Sequence, residues 1–167
     1  MALIKISGTV DDSVVDGEGY RFTIFTQGCP HGCEGCHNPQ THDFNGGKVA
    51  DTDAVFREIC ENPLLSGVTF SGGEPFCQPI PLTALGQKLH EKGFNIWTFT
   101  GYTLEELQDM QNPAIEALLA EIDVLVDGRF ILGERDLTLS FCGSRNQRII
   151  DMKATRNAGH IVLKVLE

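Results

Sequence analysis

A chain of 167 residues with 41% hydrophobic and 22% charged side chains is long enough to bury a core and has the balance of one ordinary globular domain, here read as residues 1–167. Its 13 basic against 23 acidic residues leave a net charge of −10, which argues against a nucleic-acid surface, and no run approaches the roughly eighteen apolar residues of a membrane span. The start of the chain lacks the apolar stretch of a secretory signal and the six cysteines follow no disulfide framework, so the expected compartment is the cytoplasm.

Positions 3–10 alternate loosely between apolar and polar, as a first strand would, and 11–19 form a polar loop. A second β-rich run, 20–26, delivers the chain into Cys29-Pro30-His31-Gly32-Cys33-Glu34-Gly35-Cys36-His37-Asn38-Pro39. Three thiols spaced this closely can point inward from one tight loop because Gly28, Gly32 and Gly35 free the backbone from ordinary limits. The stretch is therefore a metal loop.

The loop by itself leaves several readings open. Zinc would take His31, His37 or His42 as a fourth ligand. A ferredoxin-type cluster would borrow Cys60, Cys77 or Cys142, and a disulfide staple is a third reading. The fourth is a 4Fe-4S cluster held by three cysteines, with one iron left free to bind a small molecule.

Further along, 45–48 are turn residues, and Asp51-Thr52-Asp53 can cap a helix whose Val55, Phe56 and Ile59 share a face, with Cys60 a small buried residue at its end. A short apolar strand at 67–70 stops at Ser71-Gly72-Gly73-Glu74-Pro75, exposing backbone N–H and C=O groups at a strand's carboxyl end, where ligands sit in parallel α/β sheets. A plain turn is the alternative; a phosphate loop is excluded by the spacing. Cys77 just beyond reads as a buried structural thiol.

The spacing of Leu82, Leu85 and Leu89 predicts a helix over 79–92 that stops at Gly93, followed by a strand over 94–100. Thr103 with Glu106 makes a capping box for a helix over 103–110, and 113–121 adds another. A strand over 122–126 runs into Asp127-Gly128-Arg129-Phe130, and strands at 147–151 and 161–166 follow with polar loops between them. His90 and His160 read as surface or packing residues. Strands alternating with helices favour a mainly parallel sheet with right-handed crossovers. A complete (β/α)₈ barrel takes about 250 residues, so the expected fold is α/β, an incomplete barrel open on one side.

The CxxxCxxC loop, followed some 35 residues later by the strand ending in Ser71-Gly72-Gly73-Glu74-Pro75, resembles the radical S-adenosylmethionine superfamily. Within it, the stretches 29–39, 96–107, 123–130 and 143–151 are similar to the anaerobic ribonucleoside-triphosphate reductase-activating proteins, which are glycyl-radical activases. Gly35 stands where the wider superfamily carries an aromatic residue, and suits this branch.

The resemblance implies that Cys29, Cys33 and Cys36 hold a 4Fe-4S cluster whose open iron chelates S-adenosylmethionine. Ser71, Gly72, Gly73 and Glu74 would meet the methionyl amino group, and Gly35, Cys36 and His37 would lie beside the adenosyl part. Asp127 would make a ribose or carboxylate contact, while Thr98, Thr100, Asn146 and Gln147 are further pocket residues. It also implies an electron from a flavodoxin-like donor, reductive cleavage of S-adenosylmethionine, and hydrogen abstraction from a glycine near the C-terminus of the partner reductase. No catalytic residue beyond the cofactors is required. Two other readings are a radical enzyme of another branch, acting on a small molecule or a formate lyase, and a non-catalytic zinc or electron-transfer module.

Overall fold

The computed structural model describes residues 2–166. In chain order the elements are β1 (Leu3–Ser13), β2 (Arg21–Thr26), β3 (Lys48–Asp51), α1 (Thr52–Cys60), β4 (Gly67–Gly72), α2 (Pro79–Glu91), β5 (Asn95–Phe99), α3 (Leu104–Asp109), α4 (Pro113–Glu121), β6 (Val124–Asp127), β7 (Arg148–Asp151) and α5 (Met152–Ala158). The strands form one open sheet in the order β3-β1-β2-β4-β5-β6-β7.

The expected parallel pairing holds only in the centre, where β2, β4, β5 and β6 run together. The outer pairings β1·β2, β1·β3 and β6·β7 are antiparallel. Connection length explains the division: parallel neighbours need a crossover, and α1, α2 and the α3–α4 pair supply one, whereas only residues 14–20 join β1 to β2 and no α-helix joins β6 to β7.

Strand alternation sorts the side chains onto two faces. Phe22, Ile24, Val68, Phe70, Ile96 and Leu125 pack against the helices, where Leu82, Leu85 and Leu89 of α2 are buried at the predicted spacing. Truncating one such leucine to alanine costs roughly 2–5 kcal/mol. On the other face a smaller apolar cluster gathers Trp97, Val124 and Val126, with Phe141, Ile149 and Leu166 packed on it.

The helix starts follow local chemistry. Asp51 accepts from the Asp53 N–H, Asn112 from Ala114 and Asp151 from Ala154, while Thr103 and Glu106 form the reciprocal capping box. Each such cap stabilises its helix by about 1 kcal/mol.

Four expectations are corrected. The four-residue edge strand β3 lies partly inside what reads as turn, and its Val49 is exposed. Helix α5 is short and polar, so its sequence carries no apolar face, yet Asp151 starts it and Gly159 in the left-handed region ends it. Instead of a strand, 161–166 makes one bridge, Leu163 to Ile150. Cys60 is exposed, because the last residue of α1 is rotated off the face that buries Val55 and Ile59. Among the described residues, no helix is long and apolar enough to cross a membrane.

Candidate active site

Residues 29–42 leave the sheet at the carboxyl end of β2 and return to the same place. Gly28 N donates to Thr41 O at 2.7 Å and Cys29 N to His42 O at 3.2 Å, closing the loop at its base. Inside it Gly28, Gly32 and Gly35 have φ of +102°, +58° and +76°, a region that side chains disfavour. The neighbouring strand end locks on: Gly73 N donates to Thr26 O and Glu74 N to Gly28 O, both at 2.8 Å. A methyl group on Gly73 would stand 2.4 Å from Gly28 O, so the contact tolerates no side chain.

These elements surround a cavity of about 180 Å³ at the carboxyl ends of the parallel strands. Cys29, Cys33 and Cys36 line one side, Ser71, Gly72 and Gly73 another. The ends of β5 and β6 add Phe99, Thr100 and Val126, and the segment between β6 and β7 adds Phe130, Phe141 and Gln147.

The donor set fits an iron-sulfur cluster with an open position. All three loop thiols are free and face the same space, and Asn38 N lies 3.4 Å from Cys36 Sγ, the kind of amide contact that tunes cluster sulfur. Cys60, Cys77 and Cys142 are absent from the lining, which holds only the three loop thiols. Cys77 is exposed rather than buried, because it sits at the outer end of the turn after Glu74. Cys142 packs beside Trp97, where burial first, and Asp127 second, push its thiol up to about 11. Among the described residues no three His, Cys, Asp or Glu side chains converge as one metal ion requires. His31 is paired with Glu74, and His37 meets the Phe130 ring edge-on at 5.5 Å.

Several expected residues stand elsewhere. Gly35 is outside the cavity lining, where a methyl group on it would stand 3.0 Å from Leu132 and 3.3 Å from Phe130. Asp127 is buried and alternates away from the cavity; it accepts from Leu104 N at 2.9 Å and pairs with Arg148 at 2.5 Å, while Val126 takes the cavity side. Arg148 also reaches Glu105 at 2.6 Å, and its pairing with these two carboxylates holds its guanidinium well above the usual range. Thr98 lies between Phe70 and Leu125 in register, on the helix side, and its Oγ1 has no partner among the described residues. Asn146 is also outside the lining and donates to Arg129 O at 2.8 Å, whereas Gln147 lines the cavity as expected and donates to Gly128 O at 2.9 Å.

The family model described as a 4Fe-4S single cluster domain matches residues 15–150, which includes the thiol loop, the paired glycines and all but the last residue of β7. Anaerobic ribonucleoside-triphosphate reductase-activating proteins align across most of their own length as well. That of Haemophilus influenzae is 38% identical over 81% of this chain and 90% of the relative, and that of Vibrio cholerae is 39% identical with the same coverage. The chain belongs to this family. A further reductase-activating protein, from Escherichia coli, is 35% identical over 80% of the chain and 90% of its own length. Among solved structures, QueE from Escherichia coli overlaps 60% of this chain and 54% of its own at 20% identity and a TM-score of 0.47, a partial overlap that bears on neither chemistry nor partner.

Within this activating-protein chain, the residues that sequence reasoning missed are apolar walls and bare backbone. Phe99 and Val126 were hidden in strands whose facing direction is not written in composition, although period-two alternation from Trp97 and Val124 would have found them. Phe130, Phe141 and Gly143 come from a segment with no periodicity, and only the tertiary path brings them to the cavity.

Proposed function

We propose that this protein activates an anaerobic ribonucleoside-triphosphate reductase. Cys29, Cys33 and Cys36 hold a 4Fe-4S cluster, and S-adenosylmethionine occupies the space beside it bounded by His37, Ser71, Gly72 and Gly73. When bound, cluster and S-adenosylmethionine supply the one-electron reductive cleavage and the hydrogen abstraction that leave a glycyl radical on the reductase. The chain's own contribution is to bind, orient and exclude water.

Gly72 and Gly73 let the strand end pack directly on β2 and the thiol loop, since a Cβ would stand 2.5 Å from Thr26 N or 2.4 Å from Gly28 O, and this brings their backbone to the cavity beside the thiols. Phe99, Val126, Phe130 and Phe141 make the opposite walls apolar, which excludes water and stray solutes that could donate a hydrogen atom from the reaction space. Gln147 holds the rim by accepting from Gly143 N at 2.8 Å while donating to Gly128 O. Asp127 serves the scaffold, fixing the start of α3 and the side chain of Arg148.

The open sheet fits a single radical S-adenosylmethionine domain built as an incomplete barrel, whose missing side admits a glycine-bearing loop of another folded protein. A flavodoxin-like protein of the cytoplasm is the fitting electron donor, and neither nucleic acid nor membrane enters the reaction. The observation that carries this reading is the meeting of three free thiols and the paired glycines in one cavity inside the matched family span. The test is anaerobic incubation with the reductase, S-adenosylmethionine and reduced flavodoxin, followed by electron paramagnetic resonance. A glycyl-radical signal that requires all components is expected; no signal from protein carrying an intact cluster would contradict the assignment.

A further inference from the structure

The carboxylate of Glu74 is wholly buried and already saturated. Its Oε1 faces His31 Nε2 at 2.6 Å and accepts from Gly101 N at 2.8 Å, and its Oε2 accepts from Phe76 N at 3.1 Å and from Thr100 Oγ1 at 2.8 Å, a hydroxyl that also lies 2.9 Å from Oε1. An ionised carboxylate offers about four acceptor positions, and four donors fill them. No capacity remains for the ammonium of a bound amino acid.

The donor from outside the strand ends is His31, which lies between Cys29 and Cys33 in the loop and has a side chain only 5% exposed. Its ring is held on three sides. Glu74 lies at Nε2, the Tyr102 ring meets it edge-on at 4.6 Å, and Gly101 abuts it so closely that a methyl there would stand 2.4 Å from His31 Cδ2. Glu74 grips the same loop a second time through its own N–H on Gly28 O.

Resting on the cluster and S-adenosylmethionine assignment above, we propose that His31 is a positioning residue: by donating Nε2–H to Glu74 it fixes the Cys29–Cys33 half of the loop over the paired glycines. Glu74 acts through that loop and does not touch the ligand. The thiols and the glycines are thereby one rigid unit. A ligand that must meet cluster and backbone together then finds both already in register.

The test uses the full chain, reconstituted anaerobically, as wild type, His31→Ala, His31→Gln, Glu74→Gln and the His31→Ala/Glu74→Gln pair. The readouts are iron content, the change that S-adenosylmethionine makes in the spectrum of the reduced cluster, and KM against kcat for its cleavage. His31→Ala is expected to raise the S-adenosylmethionine concentration needed for the spectral change, and KM, by about tenfold. Gln places an amide N–H near the imidazole Nε2 and is expected to recover most of the loss. In the Glu74→Gln background the further effect of His31→Ala is expected to shrink below about threefold, as for two members of one interaction.

The proposal is overturned if His31→Ala behaves as wild type, if its penalty is equal in both backgrounds, or if His31→Gln is as impaired as His31→Ala, including in iron uptake. Recovery of iron uptake by Gln after its loss in Ala would support it. A wild-type protein without about four irons, or one indifferent to S-adenosylmethionine, would instead remove the functional reading on which the proposal stands.

Discussion

Two hollows of nearly equal size, about 180 and about 200 Å³, sit at opposite ends of the same parallel strands. The one at the amino end is the more charged: Glu18, Arg21, Asp123, Asp151, Lys153 and Lys164 all line it. Yet its charges answer one another. Lys153 reaches Asp123 at 3.4 Å and Lys164 reaches Glu18 at 3.2 Å. Arg21, completely buried, donates to Thr69 Oγ1 at 2.7 Å and to the carbonyls of Val68, Asn95 and Glu18, with the Trp97 ring 5.6 Å away. Burial pushes this guanidinium down to about 10, against the pull of Asp123, Glu18 and Asp16, so it stays protonated at neutral pH. The carboxyl end holds free thiols and bare backbone instead. Charge lining a hollow is therefore a poor sign of a ligand site when each charged group already has protein partners; free thiols gathered beside bare backbone are the better one.

That contrast can be broken in order of expected effect. Replacing any one of Cys29, Cys33 or Cys36 with alanine is expected to abolish cluster-dependent cleavage of S-adenosylmethionine, measured as methionine released under reducing conditions, and full activity in such a variant would sink the ligand assignment. Arg21→Ala at the opposite end orphans buried carbonyls and is expected to cost about 3 kcal/mol of folding stability, read as a fall in Tm of roughly 6–12 °C with iron content per folded chain unchanged. An unshifted Tm would show that the amino end is not held by that side chain.

Gly73→Ala sharpens the comparison from the ligand side. The added methyl must displace Gly28 O, so S-adenosylmethionine affinity in titration is expected to drop by at least about tenfold, whereas the same change at Gly133, where nothing lies within 4 Å, is expected to leave affinity alone.

His90, on the helix side, offers a smaller effect. It bridges Glu121 at 2.8 Å and Asp123 at 3.0 Å, with Lys153 also on Asp123. Desolvation lowers its pKa, but the hydrogen bonds from Asp123 and Glu121 outweigh it and the net shift is upward. A raised folded-state value means the stabilisation is complete below the unfolded value of about 6.5 and is lost as pH rises through the folded one. The Tm advantage of wild type over His90→Gln is expected to be larger at about pH 6 than at about pH 9; an advantage independent of pH would contradict the charged pairing. The smallest effect expected is that of Cys60→Ser, whose exposed position predicts activity and Tm close to wild type.

The sequence was most legible where local chemistry decides the outcome. The leucine spacing of α2, the capping box at Thr103 and the stop at Gly93 depend on neighbours within four residues, and all appear in the structure. The thiol loop and the paired glycines were legible for the same reason, since each motif is a contiguous stretch with unusual composition. What could not be read was which face a residue takes once the sheet assembles. Asp127 and Thr98 are one position out of phase with the cavity, and period-two alternation turns a single-residue offset into the opposite face. Glu74 sits beside the cavity, but only the folded arrangement of His31, Thr100 and Gly101 reveals that its oxygens are taken.

The measurement that bears most directly on the central claim is iron and sulfide content of the anaerobically reconstituted protein, with electron paramagnetic resonance of the reduced cluster before and after S-adenosylmethionine is added. The account predicts about four irons and four sulfides per chain, as one 4Fe-4S cluster requires, and a spectrum altered by the ligand. Stoichiometric zinc, or a cluster whose spectrum ignores S-adenosylmethionine, would contradict it.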